Sequence, residues 1–184
     1  MKLTIKNVRI SFPAIFQPEA VGDGEPAYGA KFIVPPDHPQ VAEIRKAIDA
    51  VAKAQWNDKA PSILTLLKNE KKVAWVEGPY RNKDGEAYEG FEGMFHLSSR
   101  SAKTRPTAFN NANQPITEAD GLIYSGAYVD AAVEIYAQDN KWGRRINCGL
   151  RGVRFVNHGD SFGGGAPATA NDFGDPVEVE ADFV

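Results

Sequence analysis

The stretch that decides the fold is residues 128–155, with the sequence YVDAAVEIYAQDNKWGRRINCGLRGVRF. In its first half, apolar residues recur at every second position: Val129, Ala131, Val133 and Ile135. In its second half the same alternation slips by one residue at Arg151–Gly152, and the apolar set is Ile146, Cys148, Leu150, Val153 and Phe155. A period of two places alternate side chains on one face of a β-strand, and a slip of one residue indicates a β-bulge. These residues therefore predict two strands joined as a hairpin, the second of them bulged.

The N-terminal part of the chain predicts two more strands. Residues Leu3–Phe12 alternate as a strand, with a change of parity at Lys6–Asn7 that indicates a second bulge or bend. A second strand, Ala27–Val34, follows a loop rich in glycine and proline and ends at Pro35. Small barrels close with bent, bulged strands of this kind.

The period changes in the middle of the chain. Apolar residues at spacings of three and four predict an amphipathic helix that contains Val41, Ile44, Ile48 and Val51. A shorter helix is predicted over Pro61–Lys68, and further strands over Val73–Val76 and Ala87–Ser99. The predicted fold is mainly β with one or two helices, arranged as a five-stranded, partly open barrel with insertions. A β-sandwich is the alternative.

The segment from Arg100 to Ala127 is long for a connection within a barrel. It begins with three cations and continues with polar residues. Two interpretations stay open: a ribbon or flap beside a binding groove, or an exposed, mobile insertion.

The overall charge of −3 conceals an uneven distribution. The first 154 residues carry 21 basic and 18 acidic side chains, whereas the rest of the chain carries six acids and no lysine or arginine. We therefore divide the chain into a folded domain over residues 1–156 and a flexible linker with an acidic tail over residues 157–184. The tail residues that we expect to bind partner proteins are Asp172, Phe173, Asp175, Glu178, Glu180, Asp182 and Phe183.

Cysteine content and hydrophobicity give expectations about location. The sequence has a single cysteine, Cys148, which suits a reducing compartment. No apolar run approaches the roughly 20 residues of a membrane helix, and no secretory leader is apparent at the N-terminus. We expect an intracellular protein without a membrane association.

Aromatic and basic residues alternate through the β-rich part of the chain, which is the residue pairing that single-stranded nucleic acid requires. Cations follow the phosphates, and flat rings stack on bases whatever the sequence. The candidate DNA-binding residues are Tyr80, Arg81, Lys83, Tyr88, Lys103, Arg105, Tyr128, Trp142, Arg145 and Arg151. Each single aromatic residue could instead belong to the core, and each single cation to a solvated face.

No pattern in the sequence points to catalysis. The three histidines, His38, His96 and His158, are scattered, and neither zinc-ligand spacing nor a phosphate-binding glycine loop is present. Cys148 has the parity of the apolar residues around it, which predicts an inert buried thiol. We expect no enzyme activity, no cofactor and no metal site.

Three stretches together carry a family resemblance: residues 123–129 (IYSGAYV), residues 149–153 (GLRGV), and residues 95–99 (FHLSS) followed by Arg105–Pro106. They resemble bacteriophage single-stranded DNA-binding proteins with an OB-fold, akin to the single-strand binder of phage T7. The resemblance implies sequence-independent binding and protection of single-stranded DNA in phage DNA replication and recombination, in the cytoplasm of the host cell. It also implies an acidic tail that docks replication proteins such as polymerase or helicase-primase and occludes the groove.

The resemblance leaves the oligomeric state open, with a homodimer as one option. The alternatives to a single-stranded DNA-binding function are a β-barrel structural protein of a virion or tail, and an oligosaccharide-binding barrel.

Overall fold

The computed structural model describes residues 1–163 and 173–175. Its strands are β1 (Lys2–Glu19), β2 (Ala27–Val34), β3 (Trp75–Val76), β4 (Phe95–Ser101), β5 (Thr107–Phe109), β6 (Tyr128–Asn140) and β7 (Gly143–Asn157). The helices are α1 (Val41–Trp56) and α2 (Ala60–Asn69), with 3₁₀ turns at Asn57–Lys59 and Glu118–Asp120. The mainly β composition predicted from the sequence is confirmed.

Five of the strands form a closed barrel. The sheet runs in the order β3-β4-β2-β1-β6-β7-β5, and an additional pairing of β4 with β7 joins the two sides. That closing pair is parallel and has Arg100 opposite Gly149. Where β4 and β7 separate, residues 72–76 bridge them: Ala74 donates its N–H to the Ile146 carbonyl and accepts the Ser98 N–H. The predicted five-stranded barrel is thus confirmed, with β1, β2, β4, β6 and β7 as its first to fifth strands.

Both predicted bulges are present. The pairing of β1 with β6 shifts between Ile5 and Val8, and Asn7 adopts a φ of 51° there. The pairing of β6 with β7 shifts so that Ala132 opposes Gly152 while Val133 opposes Leu150. The extra residue, Arg151, is left exposed. The bulges bend the two longest strands, which lets five strands close around a small core.

The core fills the barrel and continues under α1 and α2. The inward residues of the hairpin are almost fully buried, as their alternation predicted, with Val129, Ala131 and Val133 at 0% exposure. The apolar stripe of α1 joins the same cluster through Val41, Ile44 and Ile48. The barrel and the two predicted helices therefore form a single hydrophobic unit.

A buried ion pair fixes the first bulge from the outside of the barrel. Asp130 is 7% exposed and accepts hydrogen bonds from the Asn7 backbone and the Arg154 guanidinium. Lys6 approaches the same carboxylate at 3.4 Å. Burial raises the pKa of Asp130, but these donors lower it more, so its pKa lies below the ordinary value.

The structure differs from the sequence-based expectations in two places. Strand β1 continues to Glu19 instead of ending at Phe12. The predicted strand over Ala87–Ser99 is wrong for its first part, because β4 begins only at Phe95. Residues 87–94 turn instead, with Gly90 and Gly93 at φ 85° and 69°.

The Arg100–Ala127 segment adds a strand to the edge of the sheet. It contains β5, which pairs in parallel with β7 through Thr107, Ala108 and Phe109. The chain then folds back on β5, where Ile116 donates its N–H to the Ala108 carbonyl. Within the described residues, no helix is long and apolar enough to cross a membrane.

Candidate nucleic-acid interface

The second and third barrel strands, β2 and β4, present an outer surface that we call the β2–β4 face. Ala30, Phe32 and Val34 of β2 point into the barrel, so Gly29 and Lys31 point outward. In register with these two residues, β4 presents Arg100 and Ser98. The corresponding face of an OB-fold is the one that binds oligonucleotides and oligosaccharides.

A loop over residues 77–94 lies on this face and folds as an irregular hairpin. Its turn at Asn82–Gly85, predicted from the sequence, is held by the Asn82 side chain, which accepts the N–H groups of Asp84 and Glu86. Tyr88 donates its N–H to the Tyr80 carbonyl at 2.9 Å, which brings the two tyrosines side by side. Phe91, at 0% exposure, anchors the end of the loop against the barrel.

The rings on this face form an aromatic cluster, which we define as Phe12, Tyr80, Tyr88, Phe91 and His96. Tyr80 and Tyr88 stack with their centroids 4.9 Å apart and an interplanar angle of 19°. Phe12 packs edge-on against Tyr88 at 5.2 Å. Phe91 and His96 lie beneath, whereas Phe12 and Tyr88 are 48% and 36% exposed. Two buried rings thus support two that reach solvent.

Lys31 supplies a cation inside this cluster. Its Nζ lies 3.9 Å from the centroid of the Tyr80 ring and donates to Ser98 Oγ at 2.7 Å. Burial lowers the pKa of Lys31 to about 8 and raises the pKa of Tyr80. Burial also lowers the pKa of His96, whose ring meets the Gly78 carbonyl at 2.8 Å. At neutral pH the face therefore contains a charged lysine beneath stacked rings.

Further cations continue the surface beyond the end of β4. Arg100 is exposed and donates to the Glu25 carbonyl. Arg105 lies 5.6 Å from the ring of Phe16, a second cation and aromatic pair. Lys103 is exposed between them in sequence. The same surface includes the exposed side chains of Arg81 and Lys83 in the turn of the 77–94 loop.

Of the ten predicted residues, Tyr80 and Tyr88 lie in the aromatic cluster, and Arg81 and Lys83 lie in the turn of the same loop. Lys103 and Arg105 lie in the segment that follows β4. Trp142 and Arg145 lie elsewhere, on the β6–β7 hairpin, where Trp142 is 76% exposed with Lys141 at 5.1 Å from its ring. Arg151 is exposed at the bulge of β7. Tyr128 is half-buried, and Arg9 lies over its ring at 5.4 Å.

Four residues at this surface were not predicted from the sequence: Arg9, Phe12, Phe16 and Lys31. Lys31 carried a signal, since it is the one charged residue inside an otherwise uncharged strand. Phe12 lies next to Pro13 and adopts a φ of 50°, a strained conformation for a bulky residue that directs its ring outward. No pattern in the sequence around Arg9 or Phe16 indicates that they belong to a binding surface.

Of the predicted tail residues, Phe173 and Asp175 are described and exposed. Asp172, Glu178, Glu180, Asp182 and Phe183 lie outside the described residues.

Within residues 1–163 and 173–175, no group of three or more histidine, cysteine or acidic side chains could hold a metal ion. Cys148 is buried, and burial raises the pKa of its thiol. A thiol with a raised pKa is a poor nucleophile.

The strand order and this face define an OB-fold protein with a basic, aromatic surface on its second and third strands. The solved structure titled single-stranded DNA-binding protein from bacteriophage Enc34 in complex with ssDNA superposes with a TM-score of 0.70, at 27% identity over 88% of this chain and 89% of that chain. The single-stranded DNA-binding protein gp2.5 of bacteriophage T7 has the same fold, with a TM-score of 0.55 at 15% identity over 100% of this chain and 98% of that one.

Sequence comparison assigns the chain to a family. A family model described as Enterobacter phage Enc34, ssDNA-binding protein, matches residues 1–184. Putative protein p50 of Acyrthosiphon pisum secondary endosymbiont phage 1 is 35% identical over 179 residues, which are 95% of this chain and 94% of that protein. The chain belongs to the Enc34 family of phage single-stranded DNA-binding proteins, as the sequence resemblance indicated.

Proposed function

We propose that the protein binds single-stranded DNA without sequence preference on the β2–β4 face, and protects it during phage DNA replication or recombination. The observation that carries this proposal is the aromatic cluster, with its exposed rings of Phe12 and Tyr88 over the cation of Lys31. Support comes from the Enc34 relative, whose structure was determined with single-stranded DNA.

The composition of the face suits binding that ignores base identity. Every base has a π-face, so stacking on Tyr88 or Phe12 discriminates little among bases. The exposed cations Arg81, Lys83 and Lys103 would meet phosphates, which carry no sequence information. Trp142 and Arg145 would extend the path, because the loop between the fourth and fifth barrel strands is a second binding element of OB-folds.

The acidic tail has two roles in this proposal. Its carboxylates and the rings of Phe173 and Phe183 would dock replication proteins such as polymerase or helicase-primase. In the absence of DNA, the same acids would cover the cations of the face, and they would compete there with the phosphates of incoming DNA. The contact of the tail with the face and the contact of DNA with the face would therefore both weaken with salt. A homodimer fits the proposal but is not needed by it, and the site of action would be the cytoplasm of the infected host cell.

Titration of the intrinsic tryptophan fluorescence with oligo-dT at two salt concentrations tests the main proposal. We expect salt-sensitive quenching, since Trp142 is 76% exposed beside Lys141. A duplex of equal length and an oligo-rU serve as competitors that report the preference for strand and sugar. No response to any nucleic acid at low salt would reject the proposal.

Deletion of residues 171–184 tests the role of the tail. We expect tighter binding of oligo-dT at low salt and no capture of replication proteins. A matched full-length control exchanges the five acids of that segment for their amides, which removes the charge and keeps the length. Unchanged or weaker binding by both variants would contradict the occlusion model.

A further inference from the structure

Residues 158–163 fold back over the barrel after β7 ends, and we call them the return segment. Phe162 donates its N–H to the Ser125 carbonyl at 3.0 Å, and Gly163 donates to Glu89 Oε2 at 2.7 Å. His158 stacks on Tyr124, whose hydroxyl donates to the Gly159 carbonyl at 2.9 Å. The packed part of the chain therefore extends past the boundary that we predicted at residue 156.

The ring of Phe162 occupies a slot one ring thick. One wall is the Arg9 guanidinium, 4.2 Å from the ring centroid. The other wall is the backbone of Gly90, where even a methyl side chain would overlap the phenyl ring. Two hydrogen bonds hold Arg9 in place. Its Nε donates to the Gly126 carbonyl at 3.0 Å, and its Nη2 donates to the Asp160 carbonyl.

This slot adjoins the aromatic cluster. Arg9 of β1 is in register with Ile33 of β2, which is in register with His96 of β4. Its opposite wall, Gly90, lies in the chain between Tyr88 and the buried Phe91. The slot is thus the β1 margin of the same surface that we propose to bind DNA.

We infer that the slot is a nucleobase subsite that Phe162 fills in the free protein, and that bound single-stranded DNA displaces Phe162. This inference rests on the proposed function. A flat cation facing a bare backbone accepts any planar ring, and a pyrimidine has the thickness of the phenyl group that occupies the slot. Once Phe162 leaves, Arg9 offers a base both its face and the donors now spent on Asp160.

Competition by Phe162 differs from occlusion by the acidic tail. Phe162 precedes the tail residues that begin at Asp172. Its contacts with Arg9 and Gly90 are apolar or cation–π, and salt screens such contacts less than contacts between exposed charges. Charge competition by the tail should disappear in high salt. Competition by Phe162 should persist there.

The test compares F162A with Y136A in the full-length protein, by polarisation of labelled oligo-dT in low and high salt. Tyr136 is the control, because it is 46% exposed and lies on β6, outside the return segment, the aromatic cluster and the tail. We expect F162A to bind about 3- to 10-fold more tightly than Y136A at both salt concentrations, since removal of a competitor restores the binding-competent fraction. Equal or weaker binding by F162A would overturn the inference.

Two further measurements cover the case in which F162A does not fold. R9K keeps the charge and loses the planar face, so we expect weaker binding of oligo-dT by severalfold, and unchanged binding would overturn the subsite. Hydrogen exchange on the wild-type protein should show the amides of residues 158–163 protected without DNA and exposed with saturating oligo-dT. Protection that persists would overturn the displacement.

Failure of the two proposals can be told apart. If wild type and F162A bind oligo-dT equally, the slot is only an anchor for the chain and the proposed function stands. If neither binds oligo-dT at all, the proposed function fails, and the subsite falls with it.

Discussion

Replacement of Tyr88 by alanine is the sharpest perturbation of the proposed DNA surface. One face of the Tyr88 ring is covered by Tyr80 at 4.9 Å, so a single face remains on which one base can stack. Loss of one stacked base costs about 1–3 kcal/mol. Removal of Tyr88 also uncovers the ring of Tyr80, which offers a partial substitute and places the effect near the lower end of that range.

We therefore expect Y88A to weaken the binding of oligo-dT by about 5- to 20-fold, at roughly 1.4 kcal/mol for each factor of ten. The dependence of affinity on salt should not change, because the substitution removes no charge. Polarisation of a labelled oligo-dT at four salt concentrations measures both quantities.

Two matched variants decide the interpretation. Y88F keeps the ring and should bind almost as wild type does. Y136A removes a tyrosine of similar exposure, 46%, from the outer face of β6 on another side of the barrel, and should also leave binding unchanged. If Y88A and Y136A bind equally, the aromatic cluster is not a base platform, and the reasoning from its geometry is refuted.

Three other perturbations have definite expected outcomes. K83A and K103A should each lower the slope of log affinity against log salt by roughly 0.7, whereas K68A on α2 should not change it; equal slopes in all three would contradict phosphate contacts on the face. Burial lowers the pKa of Lys31 to about 8, so the folded protein binds fewer protons than the unfolded chain from about pH 8 to 10.5. The free energy of unfolding should therefore rise with pH in this range, by at most about 3 kcal/mol. DNA affinity should fall over the same range, because Lys31 loses its charge. Urea unfolding and oligo-dT titration at pH 7–10 check both trends, and K31M should abolish them. D130N should destabilise the protein by about 3 kcal/mol at pH 7, because it leaves the Arg154 guanidinium without its anion. The lowered pKa of Asp130 means that this stability is present at neutral pH and is lost in acid. The difference in unfolding free energy between D130N and wild type, measured by urea unfolding, should therefore shrink as the pH falls below about 4.

The barrel could be predicted because its information is local. The alternation over residues 128–155 specifies which side chains of β6 and β7 point inward, and the slips at Lys6–Asn7 and Arg151–Gly152 mark the bulges that appear in the pairing. Residues 87–94 misled the prediction because alternation alone does not distinguish a strand from a turn that buries one aromatic side chain, here Phe91. The glycines at positions 90 and 93 were the signal against a strand.

The surface was predicted only in part because it is assembled from distant segments. Lys31 matters because Tyr80 lies over it and Ser98 Oγ accepts a hydrogen bond from it, and neither contact can be inferred from β2 alone. The slot is more remote still, since it joins Arg9 to Phe162 across most of the chain. Glycine at positions 90 and 126 has the same remote cause, because the return segment approaches both backbones too closely for a side chain.

The pairing of β1 with β6 has a consequence for how the chain folds as it leaves the ribosome. Lys2 pairs with Glu134, so one edge of β1 has no partner until the last third of the chain has been made. At about 5–20 residues per second, that delay is roughly 7–26 s. The other edge of β1 pairs with β2 only a few residues away, with Glu19 opposite Ala27. The β1–β2 hairpin is therefore the natural first unit on the nascent chain, and closure of the barrel waits for synthesis of β6 and β7.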